Sequence, residues 1–256
     1  PNMHFEQYSL IDNMVIQLSA HFKARGEVNL THFLSNNPGM VTAPMFDNYM
    51  NIHRGIASVG LDNQYGKASG SLAYYMDWGH HHIDDGHLAS EAAQTSYYKQ
   101  RDFTNGLNFF ETFRIFSGNA TTFGFDYQHV WGSAWTENKT DGTRNYYADG
   151  RKMDEVAGYI DVRQQLQKWI TLDAALRYNH HSVAGNELIP QFSVNVVPKE
   201  YTVLKATISK GFRNPTLREL YMFRPANDAL KAERLWNYEL SWMHKVNAFN
   251  YSMNLF

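Results

Sequence analysis

Strict alternation of apolar and polar residues, returning segment after segment, is the feature that most narrows what this chain can fold into. In Asn13 to Lys23, residues Met14, Ile16, Leu18, Ala20 and Phe22 share one face, while Asn13, Gln17, Ser19, His21 and Lys23 share the other. A period of two is the signature of a strand between two unlike surroundings. The pattern returns in Lys67 to Met76, Thr122 to Trp131, Glu155 to Arg163 and Thr171 to Asn179, and in four later segments between Pro190 and Leu255. It predicts roughly a dozen strands of about 9–11 residues, the length that crosses a bilayer at a tilt.

Aromatic residues make up 15% of the chain, yet no run approaches about 18 apolar residues, so a membrane helix is excluded while a membrane barrel is not. Each barrel strand is apolar only toward lipid and polar toward the lumen. The net charge of −2 offers no basic field for nucleic acid. With 0 Cys, disulfide frameworks, thiolate metal sites and cysteine nucleophiles are excluded as well. The start, Pro1-Asn2-Met3-His4-Phe5, shows no basic region followed by an apolar run, as a secretion signal would.

The connections alternate too. Short turns are expected near Ala24-Arg25-Gly26, Asp62 to Gly66, Ser117 to Asn119, Gln167-Lys168, Pro198 to Glu200 and Val246-Asn247. Long polar connections are expected at Ser35 to Asn51, Asp77 to Thr104, Gly132 to Asp154, His180 to Glu187 and Arg213 to Leu235. Outer-membrane barrels have short periplasmic turns and longer extracellular loops, whereas a soluble sandwich has no reason for such a rhythm. Trp and Tyr near strand ends (Tyr74, Trp78, Trp131, Trp236, Tyr238, Trp242) fit an interfacial girdle. The expected fold is all-β, one antiparallel transmembrane-type sheet over residues 1–256. Periodicity alone leaves open whether it closes as a small barrel or forms an arc of a larger one.

One segment carries a family resemblance. Ile208-Ser209-Lys210-Gly211-Phe212-Arg213-Asn214-Pro215-Thr216-Leu217-Arg218-Glu219-Leu220-Tyr221, followed by Asn227-Asp228-Ala229-Leu230-Lys231-Ala232-Glu233 and Asn237-Tyr238-Glu239-Leu240, resembles a stretch of TonB-dependent outer-membrane receptors. Tyr75 to Gly86 and Glu155 to Tyr159 resemble that family's loop after an aromatic strand end and one of its strand starts. Architecturally, Arg213 and Arg218 are placed to pair Glu219 or Glu233, Pro215 to stop the ladder, and Leu217, Leu220 and Tyr221 to seat the loop on the rim. The resemblance implies a bacterial outer-membrane location and about half of a 22-stranded barrel. It implies uptake of a scarce nutrient (iron chelate, haem, cobalamin or oligosaccharide), with a plug domain and TonB as partners of the full-length parent and outer-membrane lipid around it. The alternatives are a passive outer-membrane channel and a soluble all-β carbohydrate-binding module.

For chemistry, His80, His81, His82, Asp84, Asp85 and His87 form the densest set of metal-ligating residue types, expected in an extracellular loop. Their spacing fits no defined zinc motif, and consecutive strand residues face opposite ways. A solvated or structural role therefore stands beside ligand contact, with the metal unassigned. No nucleophile elbow, His-Glu-x-x-His or phosphate-cradling glycine loop occurs, so no enzymatic site and no cofactor is expected. Arg163, Arg177, Asp161, Asp173 and Lys205 are expected to face the lumen.

Overall fold

The computed structural model describes residues 3–222 and 225–256. Pro1 and Asn2, on which the N-terminal reading partly rests, lie outside the described residues, as do Phe223 and Arg224. The alternating segments become strands β1 (Phe5–Gln17), β2 (Phe22–Ser35), β5 (Tyr49–Tyr65), β6 (Ala68–Asp84), β8 (Ser96–Phe113), β9 (Asn119–Asn138), β10 (Arg144–Gln167), β11 (Ile170–His181), β12 (Gly185–Lys199), β13 (Thr202–Arg213), β14 (Glu233–Val246) and β15 (Phe249–Leu255). These make one 12-stranded antiparallel sheet in sequence order. Three short strands, β3 (Gly39–Met40), β4 (Ala43–Phe46) and β7 (His87–Leu88), form a separate patch in the long connections. Among the described residues no ladder joins β1 to β15, so the sheet is an open arc.

The registers assign the two faces. Arg54 lies opposite Gly79, Ile56 opposite Asp77, Ala157 opposite Asp126, Tyr159 opposite Arg177, and Ser193 opposite Thr207, which gathers the polar residues on one side. Arg163, Asp173, Asp161 and Lys205 share that side by the same pairing. Cross-strand charge pairs tie it together, with Arg25 at 3.1 Å from Asp62, Arg163 at 3.3 Å from Asp173, and Arg177 bonded to Asp126. The opposite side exposes Leu30, Leu72, Phe109, Phe125, Leu176, Phe192 and Ile208. An apolar face this wide is stable against lipid, not water. No helix of the described residues is long and apolar enough to cross a membrane, which leaves crossing to the strands.

On both faces, glycines make room for large rings directly across the ladder. A Cβ on Gly55 would sit 2.1 Å from the Trp78 ring, and one on Gly124 would sit 1.9 Å from the Tyr159 ring. Each ring lies flat over its glycine partner, the arrangement by which an aromatic side chain compensates a weak strand position.

Several strand ends differ from expectation. The first expected strand, Asn13 to Lys23, spans a turn: β1 stops at Gln17, β2 begins at Phe22, and the Ser19 hydroxyl accepts from the amides of His21 and Phe22 at 3.2 Å each. Ala24-Arg25-Gly26 is accordingly inside β2, paired with Leu61, Gly60 and Val59. Two expected loops are largely ladder: in Asp77 to Thr104, β6 runs to Asp84 and β8 starts at Ser96, and in Gly132 to Asp154, β9 runs to Asn138 and β10 starts at Arg144. Glu155 therefore lies mid-strand rather than at a strand start. Within the 12-stranded sheet, strand length ranges from 7 residues in β15 to 24 in β10, because many ladders continue past the bilayer, where both faces meet water and alternation has no cause to persist.

Candidate functional site

The six residues singled out around His80 end up in three different places. They lie at the upper end of β6 and the start of the next connection, not in one loop. His81 faces the lumen, with Nε2 3.4 Å from the Arg54 guanidinium. His80 and His82 face outward, opposite His53 and Asn51. Asp84 is buried and bonded by Lys139, while its Oδ1 accepts the Gly86 amide at 3.1 Å. The Asp85 carbonyl accepts from Asn48 at 3.0 Å, and His87 belongs to β7, 3.8 Å from Asp47. Among the described residues no three His, Asp or Glu side chains converge as a metal site would require. The acidic residues and His87 hold loops together.

What does gather at the inner mouth is a network spread over several strands. Arg54 bonds Asp77 at 2.5 Å and Asp102 at 3.2 Å. Gln100 donates to Asp102 at 2.9 Å and accepts from the Tyr98 hydroxyl at 2.9 Å. Lower on the same wall, Gln128 donates to Tyr75 at 3.0 Å and Asn108 to Asp126 at 2.9 Å. This is a polar wall with its charges compensated, able to present hydrogen-bond groups to a solute without holding an uncompensated field.

The connection from β13 to β14 folds over that wall. It leaves β13 at Arg213, which binds Glu219 at 3.1 Å and Glu233 at 2.9 Å. The Arg213 guanidinium, helped by the Thr216 amide at 2.8 Å, holds the Glu219 carboxyl down to about 2. Thr216 and Glu219 complete a reciprocal capping box at the start of the π-helical turn Arg218–Met222, with the Glu219 amide donating to the Thr216 hydroxyl at 3.3 Å. Leu217, Leu220 and Met222 then bury against Ala134 of β9 and Ala148 and Met153 of β10, with Tyr98, Val130, Val183 and Tyr221 around them. Gly132 opens the space: a Cβ there would meet the Met222 methyl at 2.2 Å. Asn214 anchors the segment by donating to Glu155 at 3.1 Å, and Arg151 lies over the Tyr221 ring at 4.9 Å. A cavity of about 240 Å³ remains between loop and wall, lined by Pro215, Leu217, Glu155 and His181 among others. The loop sits inside the arc, not on its rim. Both carboxylates bind Arg213, and the charge of Arg218 reaches His81 and Tyr98.

Residues 19–256 match the family described as TonB dependent receptor-like, beta-barrel. The chain belongs to this family. Solved structures of similar fold include a mutant of the ferric enterobactin receptor PfeA from Pseudomonas aeruginosa in complex with enterobactin, at TM-score 0.74 and 13% identity. The siderophore receptor PirA from Acinetobacter baumannii follows at TM-score 0.75 and 12% identity, and the ferric citrate transporter FecA in its unliganded form at 0.68 and 12%. Each alignment covers 98% of this chain and 42% of the other, so the chain spans less than half the length of these relatives. At such identity the likeness speaks for the fold. No curated protein matches the sequence.

As a TonB-dependent receptor barrel, the chain is a bacterial outer-membrane protein, and its apolar face meets lipid. Family membership sets aside the soluble carbohydrate-binding module. The motif residues take structural places: Gly211 and Phe212 pair with Leu235 and Arg234, and Asn237 and Tyr238 pair with Ser209 and Ile208, so these four build the β13–β14 ladder. Sequence reasoning missed Arg54, Asp102 and Tyr98. The signal for them was parity: once Trp78 is taken as lipid-facing, Asp77 and every second residue of β6 must face inward.

Proposed function

We propose that this chain is part of an outer-membrane receptor that binds a scarce nutrient at its extracellular mouth and imports it with energy delivered by TonB, a plug domain of the parent filling the lumen. The observation that carries this reading is the β13–β14 connection folded onto the inner wall. It narrows the mouth from within and brings Arg218 and Tyr221 beside His81 and Tyr98. Packed this way, the loop gives a receptor a preorganised surface of aromatic and cationic groups. The substrate class we favour is a ferric chelate, in keeping with the siderophore and citrate ligands named for the structurally similar receptors. Haem, cobalamin and oligosaccharide are the competing classes. His81 is the member of the histidine cluster assigned to ligand contact.

The test is uptake by the full-length parent in cells lacking their own iron-chelate receptors. Accumulation of labelled ferric chelate that stops on loss of TonB supports the proposal. Uptake that persists without TonB favours the passive channel. Accumulation of labelled haem, cobalamin or oligosaccharide in place of the chelate replaces the substrate class.

A further inference from the structure

The cavity of about 240 Å³ between the β13–β14 connection and the inner wall is a site that neither side completes alone. The connection supplies Asn214, Pro215 and Leu217, and the wall supplies Gln128, Glu155 and His181. Its volume falls below the ~300–1,000 Å³ of pockets that enclose a whole drug-sized ligand, so it suits one arm of a solute rather than the entire solute.

Hydrogen-bond accounting fixes what such an arm must carry. Glu155 accepts from Asn214 at 3.1 Å through Oε2; among the described residues its Oε1 has no donor and the carboxylate has no cation within ion-pair distance. Gln128 directs its amide N–H to the Tyr75 hydroxyl at 3.0 Å, which leaves its carbonyl to accept. Asn214, having donated to Glu155, likewise keeps a carbonyl. His181 adds no positive charge, because its Nδ1 accepts from the amides of Val183 and Ala184 at 3.2 and 2.9 Å, which sets the neutral tautomer with the proton on Nε2. Among the described residues no Lys or Arg lines the cavity. Acceptors therefore outnumber donors, one acceptor is a carboxylate without a counter-cation, and the remaining walls are apolar, from Val130, Met153, Pro215 and Leu217. A half-buried carboxylate is costly without a partner charge, and a primary ammonium brings that charge, three donors and an apolar stem together. We propose that this cavity binds the ammonium end of an aminoalkyl arm of the transported solute, the head on Glu155 and the Gln128 and Asn214 carbonyls, the stem along Met153, Pro215 and Leu217. This inference rests on the receptor reading above and narrows its favoured substrate to ferric chelates that end in a primary amine. Since the connection supplies part of the site, occupancy holds the connection docked.

The first test reads hydrogen exchange at Leu220 in the whole chain folded in detergent at neutral pH, with n-pentylamine as the probe and 1-pentanol as its uncharged control. Saturating amine should slow exchange by about 3-fold or more, and the alcohol should leave it unchanged. Glu155→Gln, which keeps the shape and can still accept from Asn214, should abolish the protection. Gln128→Glu, which adds a second carboxylate to the same cavity, should lower the amine concentration required by about 3-fold or more. Should Glu155→Gln lose its far-UV circular dichroism signal, Gln128→Glu decides alone. No protection by the amine, equal protection by the alcohol, protection that survives Glu155→Gln, or a Gln128→Glu response no stronger than that of the unaltered chain would overturn the proposal. The second test titrates the full-length parent with the ferric complex of desferrioxamine B, which ends in a primary amine, and with the same chelate acetylated at that amine. The amine form should bind at least about 10-fold tighter, and equal binding of the two overturns the assignment of the arm to the cavity while the receptor reading stands. Failure of both chelates to bind, with pentylamine protection intact, supports the amine site and instead removes the ferric chelate from the receptor reading.

Discussion

Replacing Leu220 by Ala probes whether the β13–β14 connection is held inside the arc by packing. Leu220 is 1% exposed and is the largest apolar side chain buried to that degree. It fills the space between the π-helical turn and Ala134, Ala148 and Met153. Truncating a fully buried leucine costs about 2–5 kcal/mol, and the lower half of that range applies where one side of the cavity is a loop free to settle. A loss of about 2–3 kcal/mol shifts the docked-to-undocked ratio by roughly 30- to 150-fold. The ladders do not pass through Leu220, so the barrel arc should survive. Trypsin in detergent reads this directly, because Arg218 and Lys231 flank the buried turn and cleavage tracks the undocked population when docking is fast. Cleavage in the 218–231 segment should accelerate by about 30-fold or more at constant far-UV circular dichroism. The partly exposed Leu230 supplies the control: Leu230→Ala should change the rate by less than about 2-fold. A Leu220→Ala rate within about 2-fold of the unaltered chain would refute the packing argument, and collapse of the β signal would show that the turn supports the ladders themselves.

Acid should loosen the same loop. The folded Glu219 carboxyl sits at about 2 against 4.5 for the free group, so its hold on Arg213 is complete above pH 4.5 and is lost as pH falls toward 2. Hydrogen exchange at Leu220 should therefore be flat from pH 8 to pH 5 after correction for intrinsic rates and rise below that, with Glu219→Gln showing the loosened state throughout. Faces are tested by charge: Leu72→Arg, on the lipid side, should cost about 2–4 kcal/mol of folding free energy in bilayers, whereas Asn108→Arg, beside Asp126 in the lumen, should cost much less. Equal urea midpoints for the two would invert the assignment. Gly124→Ala places a methyl group against the Tyr159 ring and should lower stability by about 1–3 kcal/mol. Combining it with Tyr159→Ala should recover much of that loss, and a simple sum of the two effects would deny the contact.

The legibility of this chain follows the membrane. Where one face meets lipid and the other water, each residue must choose, and the alternation of Leu72, Tyr74 and Met76 against Ser69, Ser71 and Asp77 declares strand and side at once. Above the bilayer that pressure vanishes while the ladder continues. His80, His81 and His82 read as a loop because three polar residues in a row satisfy either solvent, although they pair with His53, Ile52 and Asn51. The same loss hid the upper parts of β9 and β10, and with them the wall on which the long connection docks. The first hairpin failed for the opposite reason: Leu18, Ala20 and Phe22 keep the period through a turn, and Gly26, which marks a turn by type, lies within β2, where a Cβ would come 3.9 Å from the Ser58 carbonyl oxygen. Ser19 was the available signal, since a hydroxyl that accepts two successive amides makes a turn without glycine. Thr216 and Glu219 have the spacing of a capping box, a signal passed over when Glu219 was read as an ion-pair partner, and such a box specifies only a local turn. What Leu217, Leu220 and Met222 bury against is set by strands more than sixty residues earlier in the chain, and a hydrophobic triplet in a polar loop carries no address. The histidine cluster shows the limit most plainly. Composition gathers six ligand-type residues within eight positions, and the two-residue period then divides them between lumen, lipid boundary and loop, so that closeness along the chain becomes separation in space.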